Sequence, residues 1–214
     1  MAAQGRDFEG VNRWRISAPK DRVIYDEGEP ASAFYQIETG CVRLQVNRED
    51  GRRQILAFLL PGDIFGVQCD PTRRVAAEAV VRTDMTCFHA SLSQAGAFGS
   101  GAAVGMASAL CDLASGFATH VMGLCHASAE SRVRWFLGWA AAQGSISTGD
   151  DRLELPMSRR DIADFLGLTP ETLSRTFSRL EALGEVEVQS ARRLVLRSKR
   201  RPVKRRDGRR LDAA

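Results

Sequence analysis

The sequence has no run of about 18 apolar residues, the length a helix needs to cross a bilayer, so no membrane span is expected. Its opening stretch, MAAQGRDFEGVNRWR, has no apolar segment of the signal-peptide kind, which argues against secretion. Cysteine is sparse. The five present (Cys41, Cys69, Cys87, Cys111 and Cys125) are an odd number with no C-x-x-C pair, as expected of reduced thiols in a cytoplasm rather than of a disulfide framework. Histidine is scarcer still. His89, His120 and His126 are dispersed, so haem or a catalytic metal finds no ligand cluster, and a metal-dependent enzyme is poorly supported.

What remains is an ordinary globular composition, 44% hydrophobic and 26% charged over 214 residues, enough for one large domain or two small ones. The formal charge of +4 misleads as an average. Nine of the 30 Lys/Arg, and only two of the 26 Asp/Glu, lie from Arg197 onward, leaving 21 basic against 24 acidic residues upstream, a net of −3. The basic character belongs to residues 197–214, which hold almost nothing to bury and read as a disordered tail that either adds phosphate contacts or is merely solvated.

Residues 22–90 read as short strands and turns: AFYQIETGCVRLQV alternates, Asp50-Gly51 sits between two apolar stretches, Pro61-Gly62-Asp63 marks a turn, and AEAVVRTDMTCF is another strand candidate. Regularly spaced strands of this kind suggest a jelly roll or small barrel over residues 1–101. From Ala102 to about residue 127 the pattern turns helical. Met106, Leu110, Leu113, Phe117, His120 and Leu124 recur at heptad spacing, with Val121 beside His120. Such a stripe either packs on its own barrel or forms the seam of a homodimer; a helix following a closed β domain favours the seam. Residues 128–196 begin with a second helix, Ser128 or Ser131 at its start, Val133, Phe136, Leu137 and Ala140 inward and Gly144 past its end, followed by a polar hinge, SISTGDDR.

The stretch SRRDIADFL opens like a capped helix, with Ser158 as N-cap, Asp161 three residues on, and Ile162, Ala163 and Leu166 inward. Gly167 suits a left-handed exit, and one residue later Thr169 and Pro170 start another helix. Two short helices across a tight glycine turn make a helix-turn-helix. At 100° per residue, Leu173, Phe177 and Leu180 share one face of the second helix while Glu171, Ser174, Arg175 and Ser178 share the other. A recognition helix presents such a face to base edges: Arg donates twice to guanine and Glu accepts from cytosine, each good contact discriminating by roughly 1–3 kcal/mol. Thr169, Pro170, Thr172 and Ser178 border these readers, and Ser158, Arg159, Arg179 and Arg192 are candidate phosphate contacts. Val186–Val188 and Leu194–Leu196 then read as a wing.

The segment LPMSRRDIADFLGLTPETLSRTFSRLEALGEVEV resembles the DNA-binding module of the CRP/FNR family of bacterial transcription regulators, and VIYDEGEPASAFYQIETGCVRLQVNREDGRRQILAFLLPGDIFG resembles that family's cyclic-nucleotide-binding-type β-roll. The resemblance spans residues 22–196 and implies an α+β architecture: β-roll, long dimerisation helix and C-terminal winged helix-turn-helix. The Glu-x-x-Ser-Arg pattern of Glu171, Ser174 and Arg175 is that of the FNR branch and implies TTGA…TCAA half-sites. Pro170 and Ser174 depart from the CRP branch. LPGDIFG and AEAVV, with no N-terminal cysteines, look most like the FixK group of regulators of oxygen-limited and nitrogen-related metabolism. The resemblance implies as partners double-stranded DNA, a second copy of the chain and RNA polymerase, with no membrane.

No cofactor is expected. An FNR-type iron–sulfur cluster needs closely spaced N-terminal cysteines, and none precedes Cys41. Cys111 and Cys125, fourteen residues apart on one helix, would sit about 21 Å from each other. Cyclic AMP in CRP-like proteins needs a Gly-Glu pair and an Arg-Ser/Thr pair. Val67-Gln68-Cys69 offers no carboxylate, and Arg73-Arg74 is followed by Val75. Two alternatives stay open: a CRP-type regulator dependent on a cyclic nucleotide in the β-roll, and a small-molecule β-roll protein whose C-terminal unit makes protein contacts.

Overall fold

The structure, a computed structural model, describes residues 12–47, 51–68, 70–89, 100–148 and 151–197. Cys69, Asp50 and the basic tail from residue 198 onward lie outside them. Eight strands come first: β1 Arg13–Ala18, β2 Val23–Tyr25, β3 Phe34–Thr39, β4 Val42–Asn47, β5 Arg53–Leu59, β6 Ile64–Phe65, β7 Ala76–Ala79 and β8 Thr83–Phe88. They form two four-stranded antiparallel sheets, ordered β1-β8-β3-β6 and β2-β7-β4-β5, around Ile37, Val42, Leu44, Phe65, Ala77 and Met85. This is the expected β-roll. Asn47 pairs with Arg53 across the expected hairpin turn. The β3–β4 corner requires glycine: Gly40 has φ +94, and a Cβ there would stand 2.5 Å from the Thr83 hydroxyl.

Two strand expectations need correction. The stretch read as one strand, AEAVVRTDMTCF, is two, because the chain crosses between sheets at residues 80–82. In β4, Arg43 and Gln45 are buried as fully as Val42 and Leu44, so the polar side of that strand does not face water. The C-terminal unit covers it.

Four helices follow: α1 Ser100–Leu124, α2 Ala129–Ala142, α3 Arg159–Leu166 and α4 Pro170–Ala182. A small sheet, β10-β11-β9, adds β9 Arg152–Glu154, β10 Val186–Val188 and β11 Arg193–Leu196. Ser128 caps α2 by accepting from the Ser131 amide, and Val133, Phe136, Leu137 and Ala140 are its buried residues, as the periodicity predicts. The stretch expected as a polar hinge is partly structural. Ile146 is fully buried, Ser147 bridges to Leu153, and Arg152 opens the third strand of the wing sheet.

One apolar cluster runs across the boundary between the two units. Cys41, Ile55, Phe58, Leu60 and Val80 of the roll pack with Phe136, Met157, Ile162, Phe165 and Leu166 of the C-terminal unit. Charge reinforces the joint. Arg53 on β5 reaches Asp161 and Asp164 of α3, both at 2.7 Å, and Arg43 on β4 reaches Asp161 at 3.3 Å while pairing with Glu78.

The stripe on α1 expected as a dimer seam faces mostly inward. Met106 is buried with Phe34, Ile64 and Phe88, with half-buried Leu110 beside them. Leu113 and Phe117 pack against the roll core. His120 is buried, stacked on the Phe165 ring at 3.8 Å, with Nε2 2.7 Å from the Phe165 carbonyl. Leu124 is half-buried, and of the expected set only Val121 is exposed. The reason is that the roll and α3 offer α1 apolar surface on that same side, so the packing alternative wins for this stripe. What α1 leaves open is a second heptad row: Val104, Ala107, Cys111, Ala114, Ala118, Val121 and Cys125, all exposed, with half-buried Leu110 and Phe117 along its edge.

Candidate nucleic-acid interface

The helix-turn-helix is built by local chemistry. The Ser158 hydroxyl accepts from the Asp161 amide at 3.1 Å, and the Asp161 carboxylate accepts from the Ser158 amide at 3.0 Å, closing a capping box at the start of α3. Gly167 ends α3 at φ +62, a left-handed geometry that costs a side-chain-bearing residue about 1 kcal/mol or more. Thr169 caps α4 by accepting from the Thr172 amide at 3.2 Å, and Pro170 fills the first helical position, where no amide hydrogen is needed.

On α4 the two faces separate as expected. Leu173, Thr176, Phe177 and Leu180 are buried, whereas Glu171, Ser174, Arg175 and Ser178 are all exposed on the opposite side. Thr169 and Pro170 are exposed at its start and Thr172 is half-buried. The Glu171 carboxyl is held below its ordinary pKa by its own backbone amide, by the Thr169 hydroxyl and by Arg175. It is therefore an ionised acceptor at a helix N-terminus, the state needed to accept from a cytosine amino group.

The expected phosphate contacts fare unequally. Arg159 lies over the Phe177 ring at 3.6 Å, and its buried Nη1 finds no hydrogen-bond partner. Burial pushes its pKa down to about 10. It packs inward and is badly placed to meet a backbone phosphate. Arg160, its neighbour, is exposed and shares a cleft with Thr169, Pro170, Glu171 and Arg192. The helical wheel used for α4 would have found this: Arg159 stands three residues before inward Ile162 and four before inward Ala163. Ser158 commits its hydroxyl to the capping box, also donating to Asp161 at 2.7 Å. Arg179 is exposed and paired with Glu130 at 2.6 Å. Arg192 is half-buried at the β-turn of the wing.

Comparison with known proteins agrees with this geometry. Residues 15–98 match the cyclic nucleotide-binding domain family and residues 131–201 the Crp-like helix-turn-helix domain. The nitrogen fixation regulation protein FixK of Bradyrhizobium diazoefficiens is 34% identical over 192 residues, covering 87% of this chain and 79% of that protein. The chain belongs to the CRP/FNR family of transcription regulators. Within that family it is FixK-like: FixK of Azorhizobium caulinodans is 37% identical over 84% of this chain and 74% of that protein. The solved structure of FixK2 from Bradyrhizobium japonicum superposes with a TM-score of 0.80 at 38% identity, covering 89% of this chain and 96% of that one. A CRP-family regulator from Thermus thermophilus, TM-score 0.73 at 24% identity, shares the fold, covering 85% of this chain and 91% of that one.

In this CRP/FNR regulator Arg73 and Arg74 of the roll already contact other protein groups. Arg73 is buried: its guanidinium donates to the carbonyls of Gly66 and Ala33 and lies 4.2 Å from the Tyr25 ring centre. Arg74 pairs with Asp70 at 2.7 Å. Cys111 and Cys125 are both exposed thiols of α1 or its end, and Cys41 and Cys87 are buried. Among the described residues no His/Cys/Asp/Glu group is arranged to hold a metal, and no helix is long and apolar enough to cross a membrane.

Proposed function

We propose that this regulator binds, as a homodimer, a TTGA-N6-TCAA-type palindrome, reading it with Glu171, Ser174 and Arg175. The observation that carries the reading is the open face of α4, where an ionised carboxylate and a guanidinium stand one turn apart on the side away from the core. Together they suit the two halves of a G·C pair. Thr169, Pro170, Thr172 and Ser178 flank the readers; Arg160 and Arg192 suit backbone phosphates, and Arg179 joins them if it exchanges Glu130 for a phosphate. Two-fold symmetry places two such helices about one DNA turn apart. The open row on α1 supports the dimer, since alternating three- and four-residue spacing of small and apolar side chains is what a parallel helix pair buries.

The reading further holds that DNA binding needs neither an iron–sulfur cluster nor a cyclic nucleotide, that the protein works in the cytoplasm with RNA polymerase, and that its targets belong to oxygen-limited or nitrogen-related metabolism. The dispersal of the cysteines and the internal commitments of Arg73 support the first part. The relatives named for nitrogen fixation regulation support the last. A gel shift on TTGA-N6-TCAA DNA with cofactor-free protein, with and without cyclic AMP, tests it. Binding without additive is expected; binding only with the nucleotide overturns the cofactor-independent part, and no binding under either condition overturns the site assignment.

A further inference from the structure

A cavity of about 200 Å³ lies where β5 of the roll, α1, α2 and α3 meet. Six of its lining residues carry rings, Phe58 from β5, Phe117 and His120 from α1, Trp135 and Trp139 from α2, and Phe165 from α3, among aliphatic and a few polar side chains. Phe165 is the hub, with ring centres of Phe58, Trp139 and Trp135 at 5.0, 6.0 and 6.2 Å. Both indoles are only half-buried, although they border a core in which Phe58 and Phe165 are almost fully covered. Protein interiors close such gaps, because an unfilled apolar void forfeits contacts on every lining side chain.

Two glycines of α1 shape this space. A Cβ on Gly123 would stand 2.5 Å from the Trp135 ring, so its absence is what lets that indole lie against the helix. Gly116, on the cavity wall, is the reverse: a Cβ there meets nothing within 4 Å. Gly116 is itself exposed, so a larger side chain there has room to lie over the cavity mouth. The acidic side chains in the lining are Asp63 and Asp112, and no Lys or Arg is among them.

We infer that this cavity is a binding site for a small uncharged aromatic molecule of one or two rings, packed against the exposed faces or edges of the half-buried indoles. An apolar cavity of about 150 Å³ is enough to take up benzene, and ring faces and edges give such a guest better partners than an aliphatic one of the same size would find. A lining whose charged groups are carboxylates disfavours a carboxylate guest. The site also stays available in a dimer. At 3.6 residues per turn the α1 residues lining the cavity, Phe117 excepted, lie on the far side of the helix from the open heptad row, so a partner laid along that row leaves most of the lining uncovered. Occupancy is an addition to DNA binding and not a condition for it.

Indole is the probe. Saturation-transfer NMR and calorimetry on the full chain should show one indole per protomer. Indole-3-acetate, the same rings with a carboxylate, should bind at least about tenfold more weakly, because like charges would be brought together. Gly116→Leu should abolish binding while leaving the melting temperature unchanged or raised, and Thr119→Phe, at the exposed rim, should weaken it and serves if the first variant does not fold. Failure of the wild-type protein to bind indole overturns the proposal. So does a filled variant that binds as the wild type does, or indole-3-acetate binding as tightly as indole. None of these outcomes bears on the palindrome, which the gel shift decides by itself.

Discussion

Helices α1 and α4 carry equally legible stripes, yet only in α4 does the stripe tell what it packs against. In α4, Leu173, Phe177 and Leu180 turn toward α2, α3 and the wing, all within about fifty residues of sequence. Its caps, Thr169 and Pro170, fix where the helix starts and therefore which residues fall opposite the core. In α1, Met106, Leu113, Phe117 and His120 are just as periodic, but their partners come from two different units, Phe34 and Phe88 from strands of the roll and Phe165 from the helix-turn-helix. Periodicity states that a face is buried. It does not state whether the same chain or a second copy buries it.

Substitutions at neighbouring α1 positions break that ambiguity most sharply. Ala114 is on the open row and Leu113 on the inward one. Ala114→Glu sets two carboxylates against each other across a symmetric seam, a penalty of several kcal/mol. Light scattering should find a monomer, and palindrome binding should be lost with it; an intact dimer would mean that the open row is not the interface. Next in size is Arg175→Ala on α4. With roughly 1–3 kcal/mol of discrimination per half-site, the palindrome should lose about two to six kcal/mol of specific binding while circular dichroism is unchanged. Wild-type affinity would show that the assigned face does not read bases.

The β10 and β11 strands of the wing, both caps, the capping box of Ser158 and Asp161 and the general run of short strands in the roll were legible because they rest on local signals: turn residues, cap residues and alternation. The failures have more than one cause. Arg43, on the polar side of an alternating strand, is buried where α3 meets the roll, and Ile146, inside the stretch read as a hinge, is buried within the C-terminal unit's own core. Arg159 is a different kind of miss, since its helical phase with Ile162 and Ala163 was present in the sequence and shows that it points inward. Gly116 and Gly123 left no trace, because a glycine in a helical pattern gives no sign of whether the missing side chain makes room or avoids a clash.

The inward α1 stripe can be separated from the dimer by Met106→Ala. Removing a buried methionine side chain costs about 2–5 kcal/mol, so the protomer should melt earlier at any protein concentration. A loss that vanished on raising the concentration would instead place Met106 in a subunit contact.

The smallest effect concerns the charged joint between roll and α3. Burial alone would raise the Asp161 pKa, but the hydroxyl and amide of Ser158, with Arg43 and Arg53, outweigh it and hold the carboxyl below its usual range. Unfolding therefore releases a group that takes up protons more readily than the folded chain does. The stabilisation is complete above the unfolded carboxyl's pKa of about 3.9 and is lost as pH falls through the lower folded value. Asp161→Asn keeps the side-chain shape and one oxygen acceptor but removes the charge. At neutral pH it should cost about 1.5–3 kcal/mol, the range for hydrogen bonds to charged groups. Below pH 4 the variant and the wild type should converge in urea titrations. If the gap instead stayed constant down to pH 2, the carboxylate's charge would contribute nothing to the joint, and Phe58 against Phe165 would be what holds the two units together.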